Sequence, residues 1–159
     1  MLRTLEAGDL PRLVEIGAEP GFNRWWPDLD EANLHEHLTG ESGSVTFAVT
    51  VASDVVGIAQ FYEENTPDYR HAGIDIGLET AAQGQGLGTD AVRTLARYLI
   101  DEGGHHRIVI DPAADNDRAI RCYEKVGFRP VGRLRRYERG ADGTWHDGLL
   151  MDLLADELT

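Results

Sequence analysis

The segment Gln83-Gly84-Gln85-Gly86-Leu87-Gly88-Thr89 constrains this chain more than any other. It lies between an alternating apolar run and a periodic amphipathic stretch, so the local expectation is strand, glycine turn, helix. Glycine has no Cβ, which lets backbone N–H groups converge on an anion, and the helix N-terminus that follows supplies unpaired donors and partial positive charge. Gln83 and Gln85 add neutral donors. The expected ligand is a phosphate. A nucleotide P-loop would need a lysine directly before Thr89, where Gly88 stands. A dinucleotide fingerprint would need a strand ending in an acid about twenty residues on. Here that interval holds the helix and its Asp101-Glu102-Gly103-Gly104 terminus.

The rest of the chain reads as alternating β and α elements. Residues 2–6 form a first strand, and Asp9 caps a helix that reaches Gly17, with Pro11 suited to its first turn. Residues 20–27 read as a loop carrying Phe22, Trp25 and Trp26, and Asp28 with Glu31 resembles a capping box for a helix ending near Gly40. Residues 44–51 and 55–62 read as a hairpin, and residues 72–80 as a further strand. In that strand Ile74, Ile76 and Leu78 alternate with Gly73, Asp75, Gly77 and Glu79, so Asp75 is displayed on a face opposite the apolar one. After the glycine loop, Val92, Leu95, Ala96 and Leu99 follow helical spacing up to Gly103-Gly104. Residues 106–111 form a strand, Asn116 caps a helix over 117–126, and residues 131–139 and 148–154 are the last strands. The order is mixed α/β, with one βαβ crossover around the glycine loop.

A chain of 159 residues with 42% hydrophobic content suits one domain, residues 1–159. Its 28 acidic against 15 basic residues, a net charge of −13, disfavour a nucleic-acid backbone and favour a cationic partner. No apolar signal core opens the chain and its apolar runs are too short for a bilayer, so the expected place is the cytoplasm, with no membrane partner. The single Cys122 excludes an intramolecular disulfide and reads as a packing residue. His35 and His37 point different ways on a helix and His105-His106 adjoin a turn, so no metal is expected. Monomer and homodimer both remain open.

Gln83-x-x-Gly86-x-Gly88 after a strand, then Asp111 at a strand end, and Asn116 leading to Tyr123-Glu124-Lys125-Val126-Gly127-Phe128 together resemble the Gcn5-related N-acetyltransferase superfamily. The resemblance covers essentially the whole chain. It implies a mostly antiparallel mixed sheet with one splayed parallel strand pair, flanked by helices. It also implies acetyl-coenzyme A as cosubstrate, with its pyrophosphate cradled by residues 83–89 and its pantetheine along Leu78 and Glu79. Asn116, Ala119 and Tyr123 would complete the coenzyme site. Within that family the chain is most similar to the aminoglycoside 6′-N-acetyltransferases, through Gly57-Ile58-Ala59-Gln60 with Tyr62, Gly73-Ile74-Asp75, Asp111-Pro112 and the run from Asn116 through Lys125. That likeness implies a cationic aminoglycoside acceptor held by Asp75 and Asp111 and flanked by Trp26 and Tyr62. The final hairpin, residues 140–147, departs from the pattern.

Acetyl transfer from a thioester to an amine needs a neutral amine, a polarised carbonyl and a proton for the leaving thiolate. Asp75 can attract the ammonium, or accept its proton directly or through water; clamp and base remain alternatives. The resemblance places the Tyr123 hydroxyl as general acid to the sulfur. Strand N–H groups would polarise the carbonyl. A transferase acting on a protein α-amine or a small polyamine, or a non-catalytic acyl-coenzyme A module, would share the donor-side residues.

Overall fold

The computed structural model describes all 159 residues. Its contacts gather into two compact units, residues 1–62 with 75–91, and residues 63–74 with 92–159. A short β1 (Leu2–Thr4) leads to α1 (Leu10–Gly17), α2 (Pro20–Asn23) and α3 (Glu31–Thr39), then to β2 (Val45–Val51) and β3 (Asp54–Glu64). Next come β4 (His71–Leu78), α4 (Leu87–Asp101), β5 (Arg107–Ile110), α5 (Asp117–Glu124), β6 (Arg129–Arg139) and β7 (Trp145–Leu154). The strands form one seven-stranded sheet in the order β1-β2-β3-β4-β5-β7-β6. The β1/β2, β2/β3, β5/β7 and β6/β7 pairs are antiparallel, while β4 and β5 are parallel. That parallel ladder joins Ala72 to Ile108 and Gly73 to Val109. The expected α/β architecture is thus the observed one.

In the first unit the apolar stripes of α1 and α3 and the inward residues of β2 and β3 make one core. Leu13, Ile16, Leu34, Ala48 and Ile58 are fully buried there, with Leu5, Phe22, Leu29 and Val55 around them. In the second unit α4 buries Val92, Leu95, Ala96 and Leu99, and Ile108, Val126, Phe128, Met151 and Leu153 are equally enclosed. Arg70 closes the C-terminal end of α4, donating to the carbonyls of Gly103 at 2.6 Å and Gly104 at 2.8 Å. Both carbonyls lie in the Gly103-Gly104 turn that follows the helix, so the guanidinium fastens that turn.

Several local expectations need correction. Residues 20–23 form a helical turn, α2, where punctuation predicted loop: Pro20 at its first position fixes a helical φ. The cap of α3 is Asp30, whose carboxylate accepts from Asn33 N at 2.9 Å. Asp28 instead adopts φ +66°, outside the extended geometry a cap requires. Asp9 precedes α1 but does not cap it. Its buried carboxylate pairs with Arg3 at 2.6 and 2.7 Å and accepts from Glu6 N at 2.9 Å, and the guanidinium bond holds it below the usual carboxylate range. Leu87, Gly88 and Thr89 belong to α4 rather than to the loop, β4 ends at Leu78, α5 ends at Glu124, and β7 begins at Trp145.

Candidate functional site

The glycine loop lies in the first unit. Gly84 and Gly86 adopt φ +76° and +84°, backbone that a side chain would strain. Nothing lies within 4 Å of where a Cβ would stand on either. Asp90 N donates to Gly86 O at 3.0 Å, so the helix begins at Leu87, and the N–H groups of Leu87 and Gly88 have no acceptor within the helix. The two glutamine amides stabilise the loop itself, Gln83 donating to Leu78 O and Gln85 to Ala81 O, each at 2.8 Å. At the strand end Glu79 N donates to Val56 O at 2.8 Å, and its carboxylate pairs with Arg12. The donors with which this loop could meet an anion are therefore chiefly backbone N–H groups.

Asp75 stands on β4, half-buried, on the face it shares with Gly73 and Gly77. Its Oδ2 accepts from Gln60 Nε2 at 3.0 Å. Gln60 is buried in β3, and its Oε1 is enclosed without a hydrogen-bond partner. A Cβ on Gly77 would lie 2.5 Å from Phe22 Cε2 and 3.2 Å from Trp26 Cε3. These two rings, stacked with centroids 6.1 Å apart, thus press onto β4 beside the carboxylate, and only glycine admits them. Trp26 packs against the core, whereas Trp25 lies under Arg24, 4.3 Å from its guanidinium carbon. Tyr62, two positions beyond Gln60 on the same strand, faces the same way and is 39% exposed. The first unit thus gathers a carboxylate, its amide support and aromatic surface.

The second unit carries Asp111, Asn116, Ala119 and Tyr123. Asn116 Oδ1 accepts from Ala119 N at 3.2 Å and starts α5 as expected. On α5 Tyr123 is enclosed, as is Val126 just past its end, while Ala119 and Cys122 are half-buried. Tyr123 is 6% exposed, and its ring tilts against Phe128 at 6.2 Å. Asp111, half-buried just past β5, accepts from the Tyr137 hydroxyl. Sequence reading missed both groups that hold the acids. An amide in an apolar strand was a visible signal for Gln60; Tyr137 offered none, because its position depends on an irregularity in β6.

A family model for the acetyltransferase (GNAT) domain matches residues 1–129. The aminoglycoside N(6')-acetyltransferase type 1 of Klebsiella pneumoniae is 35% identical over 152 residues, covering 82% of this chain and 74% of that protein. The N-alpha-acetyltransferase RimI of Mycobacterium tuberculosis is 31% identical over 145 residues, covering 87% of this chain and 85% of that protein. Among solved structures, the aminoglycoside acetyltransferase AAC(6')-Ib in complex with coenzyme A and kanamycin superposes with a TM-score of 0.78 at 26% identity, over 99% of this chain and 95% of that one. This chain belongs to the GNAT family of acetyltransferases.

Proposed function

We propose that this protein transfers the acetyl group of acetyl-coenzyme A to the 6′-amine of aminoglycosides, by direct attack in a ternary complex, as a single domain acting in the cytoplasm. The observation that carries the acceptor side is Asp75, an amide-held carboxylate on a strand face that Phe22 and Trp26 share. The aminoglycoside acetyltransferases among its relatives and solved neighbours support the same reading. Residues 83–89, with Leu78, Glu79, Asn116 and Ala119, hold the coenzyme; Trp26, Tyr62, Asp75 and Asp111 hold the aminosugar.

In this scheme the amine nitrogen attacks the thioester carbonyl, a C–N bond forms and the C–S bond breaks. The amine proton leaves to Asp75 or through water to solvent, and the Tyr123 hydroxyl protonates the departing sulfur. By either route Asp75 attracts and orients the ammonium before its proton leaves. Purified protein should release free coenzyme A thiol with kanamycin- and tobramycin-type acceptors. Asp75→Asn and Tyr123→Phe should each cut kcat/KM by about 10²-fold or more. Full turnover in both variants would remove these residues from the mechanism.

The similarity to RimI favours a second reading, acetylation of a protein α-amine. Turnover of N-terminal peptides in place of aminoglycosides would select it.

A further inference from the structure

Asp111 is held in a way that sets it apart from its neighbours. In the same unit Asp147, Asp152 and Glu157 pair with Arg133, Arg107 and Arg129 at 2.6, 2.9 and 3.0 Å. Each of those negative charges is compensated by a guanidinium. Asp111 accepts from the hydroxyl of Tyr137, a neutral donor that fixes the carboxylate without cancelling its charge.

The support behind that hydroxyl is elaborate for an exposed strand. The β6/β7 ladder pairs Leu134 with Gly148 and then Glu138 with His146, so Arg135, Arg136 and Tyr137 stand opposite Asp147 alone. Arg136 takes φ +48°, a left-handed conformation that costs any residue bearing a Cβ. The Asp147 carboxylate stabilises it, accepting from Arg136 N at 2.7 Å and from Arg133 Nε at 2.6 Å. The irregularity turns the Tyr137 ring across β7 at Gly148, where a Cβ would lie 2.9 Å from Tyr137 Cδ1. The segment bearing Asp111 is fastened to the same place, with Ala114 N donating to Asp147 O at 2.9 Å and Leu149 N donating to Pro112 O at 2.8 Å. A bulge, a strained arginine and a glycine thus converge on one hydrogen bond.

We propose that Tyr137 is a positioning residue, which fixes Asp111 so that its second carboxylate oxygen receives a non-reacting ammonium group of a polycationic acceptor. The inference rests on the aminoglycoside reading and adds to it a specificity element. A carboxylate whose one oxygen accepts from a neutral hydroxyl is fixed in orientation, with its other oxygen available to anchor a cation. The acceptor class follows from that chemistry: the molecule carries at least one cationic group besides the amine that reacts.

The test compares Tyr137→Phe with wild type in wild-type and Asp111→Asn backgrounds, using kanamycin, glucosamine and acetyl-coenzyme A as varied substrates. Losing a hydrogen bond to a charged group should raise the kanamycin KM about tenfold while kcat changes less than about twofold. The preference for kanamycin over glucosamine in kcat/KM should fall by the same factor, and the KM for acetyl-coenzyme A should hold. In the Asp111→Asn background Tyr137→Phe should add nothing. An unchanged preference, or an equal loss in the Asp111→Asn background, overturns the proposal. Calorimetric binding of kanamycin to wild type and Tyr137→Phe, with coenzyme A present, separates this inference from the function. If wild type acetylates no aminoglycoside yet binds kanamycin about tenfold tighter than the variant, the function fails and the positioning role stands. If acetylation proceeds and binding is equal, the positioning role fails alone.

Discussion

At the scale of single residues, Gln60 combines two opposed effects in one side chain. Its Nε2 donates to Asp75, a bond to a charged group that stabilises by about 1.5–3 kcal/mol, whereas its enclosed, unpartnered Oε1 costs about 1–3 kcal/mol. Gln60→Leu removes both together. Its thermal midpoint should therefore shift by less than about 4 °C, since 1 kcal/mol corresponds to about 2–4 °C in a chain of this size. Acceptor KM should instead rise about tenfold, because Asp75 loses the group that orients it. Thermal melting and steady-state kinetics on the same preparation check this. A large loss of stability with unchanged acceptor KM would make Gln60 a purely structural residue. Alternation made Asp75 legible in the sequence, since period two puts it opposite Ile74 and Ile76. The amide of Gln60 was visible in its apolar strand, but its pairing with Asp75 was not, because cross-strand register depends on a ladder that a single strand does not encode.

At the scale of elements, legibility followed how local the determining bonds are. Asn116 was read as the cap of α5 because the cap, the helix and the stop at Gly127 lie within one short stretch. The cap of α3 was misassigned to Asp28 because Asp28 and Asp30 both precede Glu31 closely, and the left-handed backbone at Asp28 decides between them. The last hairpin was the least legible element. Its strand β6 lies at the sheet edge and carries Arg129, Arg133, Arg135, Arg136 and Arg139, charges that discourage edge-to-edge pairing with other chains. Its tip is tied by Asp142, which accepts from Thr144 N at 2.9 Å and meets His146 Nε2 at 2.9 Å. The hydrogen bond to His146, ahead of those from Thr144, pulls Asp142 down to about 2, and the same bond to Asp142 raises His146 above 6.5. A histidine raised on folding contributes stability that is complete below its unfolded value and is lost as pH rises through its folded value. The tip should accordingly be better ordered at about pH 6 than at about pH 9. An NMR titration should place His146 above 6.5 in wild type, and Asp142→Asn should return it toward the ordinary value. A wild-type midpoint at or below that value would show the pair to be unformed in solution.

At the scale of the whole molecule, charge is the property that composition reveals most directly. The net charge of −13 coexists with the arginines of β6, so the rest of the surface is more acidic than the total suggests. Such a field attracts polycations and repels coenzyme A, whose phosphates are anionic, so in the proposed coenzyme site the N–H groups of residues 83–89 offset that repulsion at short range. Salt screens the long-range field while leaving those contacts largely intact, the Debye length falling from about 10 Å at 0.1 M to about 3 Å at 1 M. The two substrates should therefore respond with opposite signs. Between about 0.05 and 0.5 M salt the KM for kanamycin should rise about three- to tenfold, while the KM for acetyl-coenzyme A stays level or falls. The slope should also rank with acceptor charge, steepest for kanamycin, shallower for spermidine and nearly flat for glucosamine. Parallel rises for donor and acceptor would point to a general effect of salt on the protein instead, and would remove the long-range field from acceptor recognition.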